Sequence, residues 1–489
     1  MLGLTRFDLD KAPKIQTCSF NCTYFFSLYI IQLEVMSNIT LEMLTSLCKR
    51  RGFIYQGSEI YGGLAGTWDY GPLGIALKRN ITNLWWKTFV EDQDNVYGLD
   101  TAILMSPRVW EASGHVATFN DPVIEDVVSK KQYRLDHLLE ENGLNPEGMS
   151  LEAMAKAVSD KSIKSPDGNE LGKASKMNLM FKTHIGPVEG QGSAVYLRPE
   201  TAQGMFVNFK NVVDSFYPDL PFGLAQIGRN FRNEISPRDF IFRSREFEIM
   251  EIEYFIDPDN WEADFNKILE QMRDWFVNKL HLSVENIHER DIPESDRAHY
   301  SKQTIDFEYN YPIGIKEIGG LAYRTDFDLQ SHQELSGKSL EYNPKGTDKR
   351  FIPHVIEPTF GVDRNVLAVL CEAYREDEVN GEKRTFLALP FDLAPVKLAV
   401  SPLLKNKAEL VDRAKEVYET LRKEFSSVMW DDNGNIGKRY RRQDEIGTPY
   451  CVTIDFDTLE DGTVTLRERD TTNQSRKTVE ELITEIKNK

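Results

Sequence analysis

The chain has 489 residues, 40% hydrophobic and 28% charged, enough apolar material for one very large domain or two to three ordinary ones. A formal charge of -18 argues against a surface coated in basic residues for bulk nucleic-acid binding, while allowing one local basic track. Five scattered cysteines read as reduced thiols of a cytoplasmic protein, with no zinc site expected.

The apolar stretch Thr23–Val35 is too short and too interrupted to span a bilayer, so no membrane association is expected. Residues 1–35 read as lying outside the folded body, either upstream of the natural start or as an extra surface helix. The text from Asn38 to Gly52 predicts an amphipathic helix stopped by Gly52. The Gly- and aromatic-rich stretch Gly57–Gly74 predicts an irregular segment whose backbone approaches a ligand closely. A strong helix follows from Ile75, with Leu77, Ile81, Leu84, Trp85 and Phe89 on one stripe that needs a covering surface, either core or a second subunit.

Residues from about 130 to 180 read as a mostly helical insertion with a mobile tip. Phe181 to Phe255 reads as strand-rich, and "RFIPHVIEPTFGVDRNVLAVLCEAYRE" as strand, Gly turn and helix. Composition shifts near 387–400, so 36–390 and 391–489 are expected to be separate domains, the second α/β. Within it the basic run Lys438, Arg439, Arg441 and Arg442, with Tyr440 inside, is expected to form a turn before a strand.

Gly228 to Phe255 sets five arginines against six acidic residues, with Phe and Ile between them. Two strands flanking "SPRD" would bring the arginines of both arms together. Phe247, Glu251 and Glu253 share parity, so one face would carry an aromatic ring followed by carboxylates. Exposed ion pairs stabilise by only ~0–1 kcal/mol, a poor return for so much charge unless a ligand uses it.

"FRNE" followed by "FRSREF" resembles motif 2 of the class II aminoacyl-tRNA synthetases, and "GVDRNVLAVL" their motif 3. The helix from Ile75 and the strand ending at Pro107 resemble motif 1, usually a dimer interface. "EIYGGLAGTWDYGPLG", "SPRVWEASGH", "LRPETAQGMFVNF" and "YRTDFDL" narrow the resemblance to the homodimeric glycyl-tRNA synthetase family, from about residue 36 to the C-terminus. The implied fold is α+β: an antiparallel sheet flanked by helices, plus a C-terminal α/β anticodon-binding domain. The implied reaction joins glycine to ATP as an adenylate and passes it to tRNA(Gly), with Mg²⁺ as cofactor.

The resemblance assigns ATP to Arg232, Asn233, Glu234, Phe242, Arg243, Ser244, Arg245, Glu246, Phe247, Glu317, Ile318, Gly361, Val362, Asp363 and Arg364. Arg232 would grip the α-phosphate, Phe247 and Arg364 would sandwich adenine, and Glu317 would meet the metal. Glycine is assigned to Arg108, Glu200, Phe247, Glu248, Ile249, Met250, Glu251, Arg324, Glu357, Pro358, Thr359, Phe360 and Gly361. Thr359 stands where the family usually has serine, and its methyl is expected to tighten exclusion of alanine. Lys438, Arg439, Arg441 and Arg442 would contact RNA. A non-catalytic nucleic-acid-binding relative, or a synthetase for another amino acid, are the competing readings. The joint presence of Arg232, Glu234, Phe247, Glu357 and Arg364 argues against the first.

Overall fold

The structure, a computed structural model, describes residues 39–488 except 147, 187–192, 236 and 299; the 1–35 extension lies outside the described residues. Helix α1 (Leu41–Arg51) starts where the Thr40 side chain accepts from the Met43 amide and ends at Gly52, whose φ of 78° suits a residue without a Cβ. Helix α2 (Pro72–Trp86) buries Leu77, Ile81 and Trp85, and continues through a turn, Lys87–Glu91, that buries Phe89. Trp85 and Phe89 pack on Phe360 with ring centroids 6.0 and 5.1 Å away. The buried part of this stripe is therefore covered by the chain's own core.

A seven-stranded sheet forms the centre. Its strands are β1 (Val96–Gly98), β2 (Phe222–Phe231), β3 (Glu246–Ile256), β4 (Ile287–Asp291), β5 (Gln303–Tyr311), β6 (Gly314–Thr325) and β7 (His354–Gly361). They lie in the order β4-β5-β6-β7-β3-β2-β1, antiparallel except for β1 beside β2. The strand–turn–helix reading holds: β7 runs through Gly361 into helix α4 (Val362–Ala373).

One helix interrupts the region that reads as strands. Helix α3 (Ala202–Phe216) buries Ala202, Met205, Phe206, Phe209 and Val212 against Phe222, Leu224 and Phe255. Each buried phenylalanine contributes roughly 1.5–3 kcal/mol, and the three- and four-residue spacing fits a helix rather than a strand.

The insertion is mixed rather than mostly helical. Strands Asn120–Asp126, Gln132–Arg134 and Leu171–Asn178 pair in one antiparallel sheet around helices Leu135–Glu141 and Leu151–Lys161. Ile124, Leu135, Leu138, Leu139 and Val158 give it a core of its own.

The C-terminal part carries a five-stranded mixed sheet of β8 (Leu398–Pro402), β9 (Val428–Trp430), β10 (Tyr450–Ile454), β11 (Val464–Glu468) and β12 (Gln474–Lys477). Here the expected basic turn is helix α5 (Ile436–Ile446), capped by the Asn435 side chain on the Lys438 amide and closed by Gly447 at φ 81°. This part is joined to the body by buried charge. Arg384, on the hairpin Tyr374–Val379 and Glu382–Leu387, bonds Asp377 and lies 3.3 Å from Asp444 of α5, which Arg467 of β11 also holds. Arg51 of α1 pairs with Glu445. No described helix is long and apolar enough to cross a membrane.

Candidate active site

Alternation along β3 puts Phe247, Ile249, Glu251 and Glu253 on one face of the sheet, while Met250 and Ile252 turn to the other. On the neighbouring strand Gly361 sits opposite Ile249, and Thr359 opposite Glu251, so Glu357, Thr359 and Gly361 share that face. β6 adds Gly320, Ala322 and Arg324. A bulge opposite Phe307 and Glu308 leaves Ile318 without a partner, and this extra residue brings Glu317 to the same side. Two adjoining cavities of ≈ 420 and ≈ 180 Å³ result, sharing Arg232, Ile249, Glu317 and Thr359.

The smaller cavity is basic and aromatic. Sequence reading extended both strands to the "SPRD" turn; instead β2 stops at Phe231 and β3 begins at Glu246. The ladder breaks because other segments take its hydrogen bonds: the Asn233 amide donates to Leu179, and the Arg245 amide to Gly66. Arg232 therefore leaves the sheet, with its guanidinium 5.3 Å from the Phe247 ring centroid and Nε donating to the Pro199 carbonyl. Arg243 lies 3.6 Å from Glu234. Glu234 is buried, and its Oε2 has no hydrogen-bond partner. Arg364 pairs with Glu317 at 3.1 Å and rests 4.5 Å from the Phe242 ring. Phe242, Ser244 and Asp363 complete the lining.

The larger cavity is acidic. Glu200 lies 3.2 Å from His115, whose other ring nitrogen is 2.8 Å from the Ser113 hydroxyl. Against the penalty of burial, His115 and then Arg324 hold the Glu200 carboxyl below the usual carboxylate range. Glu251 accepts from the Thr201 hydroxyl at 2.5 Å and the Thr359 hydroxyl at 3.0 Å. Arg324, 3% exposed, forks onto Asp328 at 2.8 and 3.0 Å and reaches Glu357 at 2.5 Å. Burial pushes the Glu357 carboxyl up to about 8, with Arg324 opposing and Glu251 and Glu200 adding to the rise. Asp306 shares the cavity with Glu317, and burial and then Glu317 push it up to about 6.

Several assigned residues stand elsewhere. Arg108 lines a separate groove of ≈ 560 Å³ and donates to the Leu335 carbonyl, because helix Pro107–Ala112 packs on the helix that holds Leu335. Ile318, Met250, Pro358, Phe360 and Val362 put their side chains into the core. Arg245 bonds the carbonyls of Glu234 and Ala65, tying the glycine-rich segment to motif 2, and Glu246 pairs with Arg229. Glu248 lines the cavity but its carboxylate is held by Lys78 of α2, while Asp363 takes the Tyr70 hydroxyl and the Glu248 amide. Asp328 and Thr201 were missed as site residues, and His115, which sequence reading takes as structural or peripheral, stands against Glu200. Asp328 was findable, four residues after Arg324 in "RTDFD" at the start of a helix.

The basic run of α5 also divides. Arg439 is buried, donating to the carbonyls of Gly434 and Pro402, and Arg442 forks onto Asp431. Tyr440 packs under Arg467 and bonds Thr453, so one face of its ring is already covered while the residue lines the cleft. Lys438 and Arg441 line a polar cleft of ≈ 810 Å³ against the hairpin.

A seven-stranded, largely antiparallel sheet with an arginine-bearing loop, a strand–Gly–Arg helix and carboxylates on one face defines the core of a class II aminoacyl-tRNA synthetase. The chain matches the family "tRNA synthetase class II core domain (G, H, P, S and T)" over residues 182–374 and "Anticodon binding domain" over 397–489. It is 48% identical over 444 residues to the glycine–tRNA ligase of Mycoplasmopsis synoviae, covering 90% of this chain and 97% of that protein. Against the glycine–tRNA ligase of Geobacillus kaustophilus it is 47% identical over 453 residues, 91% of this chain and 97% of the other. The chain belongs to the glycine–tRNA ligase family.

Proposed function

We propose that the chain attaches glycine to tRNA(Gly) at the expense of ATP, through a glycyl-adenylate formed in the paired cavities. One observation carries this reading: the Arg232 guanidinium, whose terminal nitrogens meet no acceptor among the described residues, stands where a basic, aromatic cavity of ≈ 180 Å³ opens into an acidic one lined by Glu200, Glu251 and Glu357. Arg232 supplies a planar double donor to the α-phosphate as the glycine carboxylate attacks. Phe247 and Arg364 hold adenine, Glu234 accepts from its amino group, and Arg243 meets the γ-phosphate end. Glu317 and Asp306 would hold Mg²⁺, since two carboxylates in one cavity suit a hard cation, and the ion would neutralise charge on the phosphates. Glu200, Glu251 and Glu357 bind the glycine ammonium, and their bulk fills the space that a Cβ would need. Arg324 orients Glu357 and keeps two N–H donors.

Lys438 and Arg441, beside the polar cleft, support contact with tRNA. A homodimer is proposed from the motif 1 likeness and the exposed Ile60, Tyr61 and Leu64. A cytoplasmic location is supported by Cys48, Cys371 and Cys451, all buried and unpaired. Amino-acid-dependent pyrophosphate exchange with all twenty amino acids tests the reading: exchange with glycine alone is expected, and none with any amino acid would refute it.

Two expected results follow. The Thr359 hydroxyl bonds Glu251, so Thr359→Ser keeps that bond and removes only the methyl. Alanine activation relative to glycine should rise, by at most the ~10–200-fold that one methyl commands, and an unchanged ratio counts against the role of Thr359. The second concerns pH. An arriving ammonium favours ionised Glu357, so the proton held below pH about 8 must leave on binding. The glycine KM should therefore fall as pH rises from 6 to 8, by up to about tenfold per unit, then level off. A flat profile would count against it.

A further inference from the structure

One buried acid behind the cavity has no task in the scheme above. Glu253 is 0% exposed, and neither of its carboxyl oxygens has a hydrogen-bond partner. It follows Glu251 on the same face of β3, and an oxygen from each of Glu251, Glu253 and Glu357 lies within 4.8 Å of the others. Those two neighbours are provided for. Glu251 accepts from Thr201 and Thr359, and Glu357 accepts from Arg324. Arg324 is already divided between Glu357 and Asp328, and among the described residues no cation pairs with Glu253.

We propose that Glu253 is a positioning residue for glycine: a neutral carboxylic acid whose O–H braces the carboxyls of Glu251 and Glu357 from behind and aims them at the substrate ammonium. The inference rests on the reading of this cavity as the glycine pocket. Three adjacent anions sharing one guanidinium would repel each other strongly out of water, and the member without a partner is the one to hold its proton most firmly. Burial first, then Glu357, raise its carboxyl well above the ordinary range; Arg324 opposes, and Glu251 and Asp328 add to the rise. Once protonated, Glu253 changes from a third repelling charge into a donor. Its bulk also closes the space behind the two carboxyls, so they cannot retreat to admit a larger amino acid.

The test uses the full chain, whose own exchange with glycine decides the underlying reading separately. Glu253→Met removes the donor at similar volume, and should raise the glycine KM by about 20-fold or more while leaving the ATP KM unchanged. Glu253→Gln keeps a neutral donor and should recover most of that loss, to within about threefold of the parent. An infrared carbonyl band of a protonated acid should persist in the parent at pH 9, above the range in which Glu357 keeps its proton, and be lost in Glu253→Gln, a readout that survives even if the methionine variant fails to fold. Three results would overturn the proposal. One is Glu253→Gln as defective as Glu253→Met, which would make Glu253 a charged ligand. Another is no band lost in Glu253→Gln. The third is a stoichiometric divalent ion that the parent holds and Glu253→Gln loses.

Discussion

Replacing Arg232 by alanine is expected to cut glycine-dependent pyrophosphate exchange by about 10³-fold, a loss of ~4 kcal/mol of transition-state stabilisation. The side chain makes one hydrogen bond within the protein, from Nε to the Pro199 carbonyl, and rests on the Phe247 and Phe119 rings. Among the described residues its two terminal nitrogens meet no acceptor, and they face the shared part of the cavities. A guanidinium so placed has little structural work to lose. The urea midpoint should hardly move, and kcat should fall with kcat/KM because negative charge builds on the phosphate only as the adenylate forms. Arg232→Lys should recover part of the rate, since it restores the charge without the fork. A loss below about tenfold in the alanine variant would remove Arg232 from the chemistry.

Arg324→Met should have the largest effect on stability, about 3–5 kcal/mol. It removes the cation that Asp328 and Glu357 share, where Asp328 is 3% and the Glu357 side chain 11% exposed. It also removes the guanidinium stacked 3.9 Å from the Tyr300 ring. The orphaned carboxyls must then bind protons in the folded state. A folded acid that holds more protons than its unfolded form loses stability as pH rises, so the deficit should grow from pH 5 to 8. Urea unfolding across that range reads both magnitude and sign. A midpoint equal to the parent's at pH 8 would mean that the network does not hold this part of the fold together.

The legible parts were those with a short period or a terminating residue. Parity along β3 placed Phe247, Glu251 and Glu253 on one face, and Gly361 marked the passage from strand to helix. Helix α3 was hidden by its composition. Phe and Val suggest strands, and the spacing of Ala202, Met205, Phe206 and Phe209 was outweighed by residue type. In α5, counting charge could not tell which arginine turns inward. The Asn435 and Gly447 brackets announce a helix, and its four-residue spacing puts Arg439 and Gln443 on the buried side. Arg108 was assigned by likeness alone, which cannot tell which neighbouring helix a side chain will lean against.

The Arg384–Asp444–Arg467 cluster bears on modularity. Asp444 is contributed from beyond the hairpin that supplies Arg384, and Arg384 also donates to the Arg469 carbonyl across the same seam. A chimaera that swaps residues 397–489 alone would strand a desolvated guanidinium on one side of the cut. Grafting therefore has to carry the 374–387 hairpin along, which makes that hairpin the true border of the exchangeable piece.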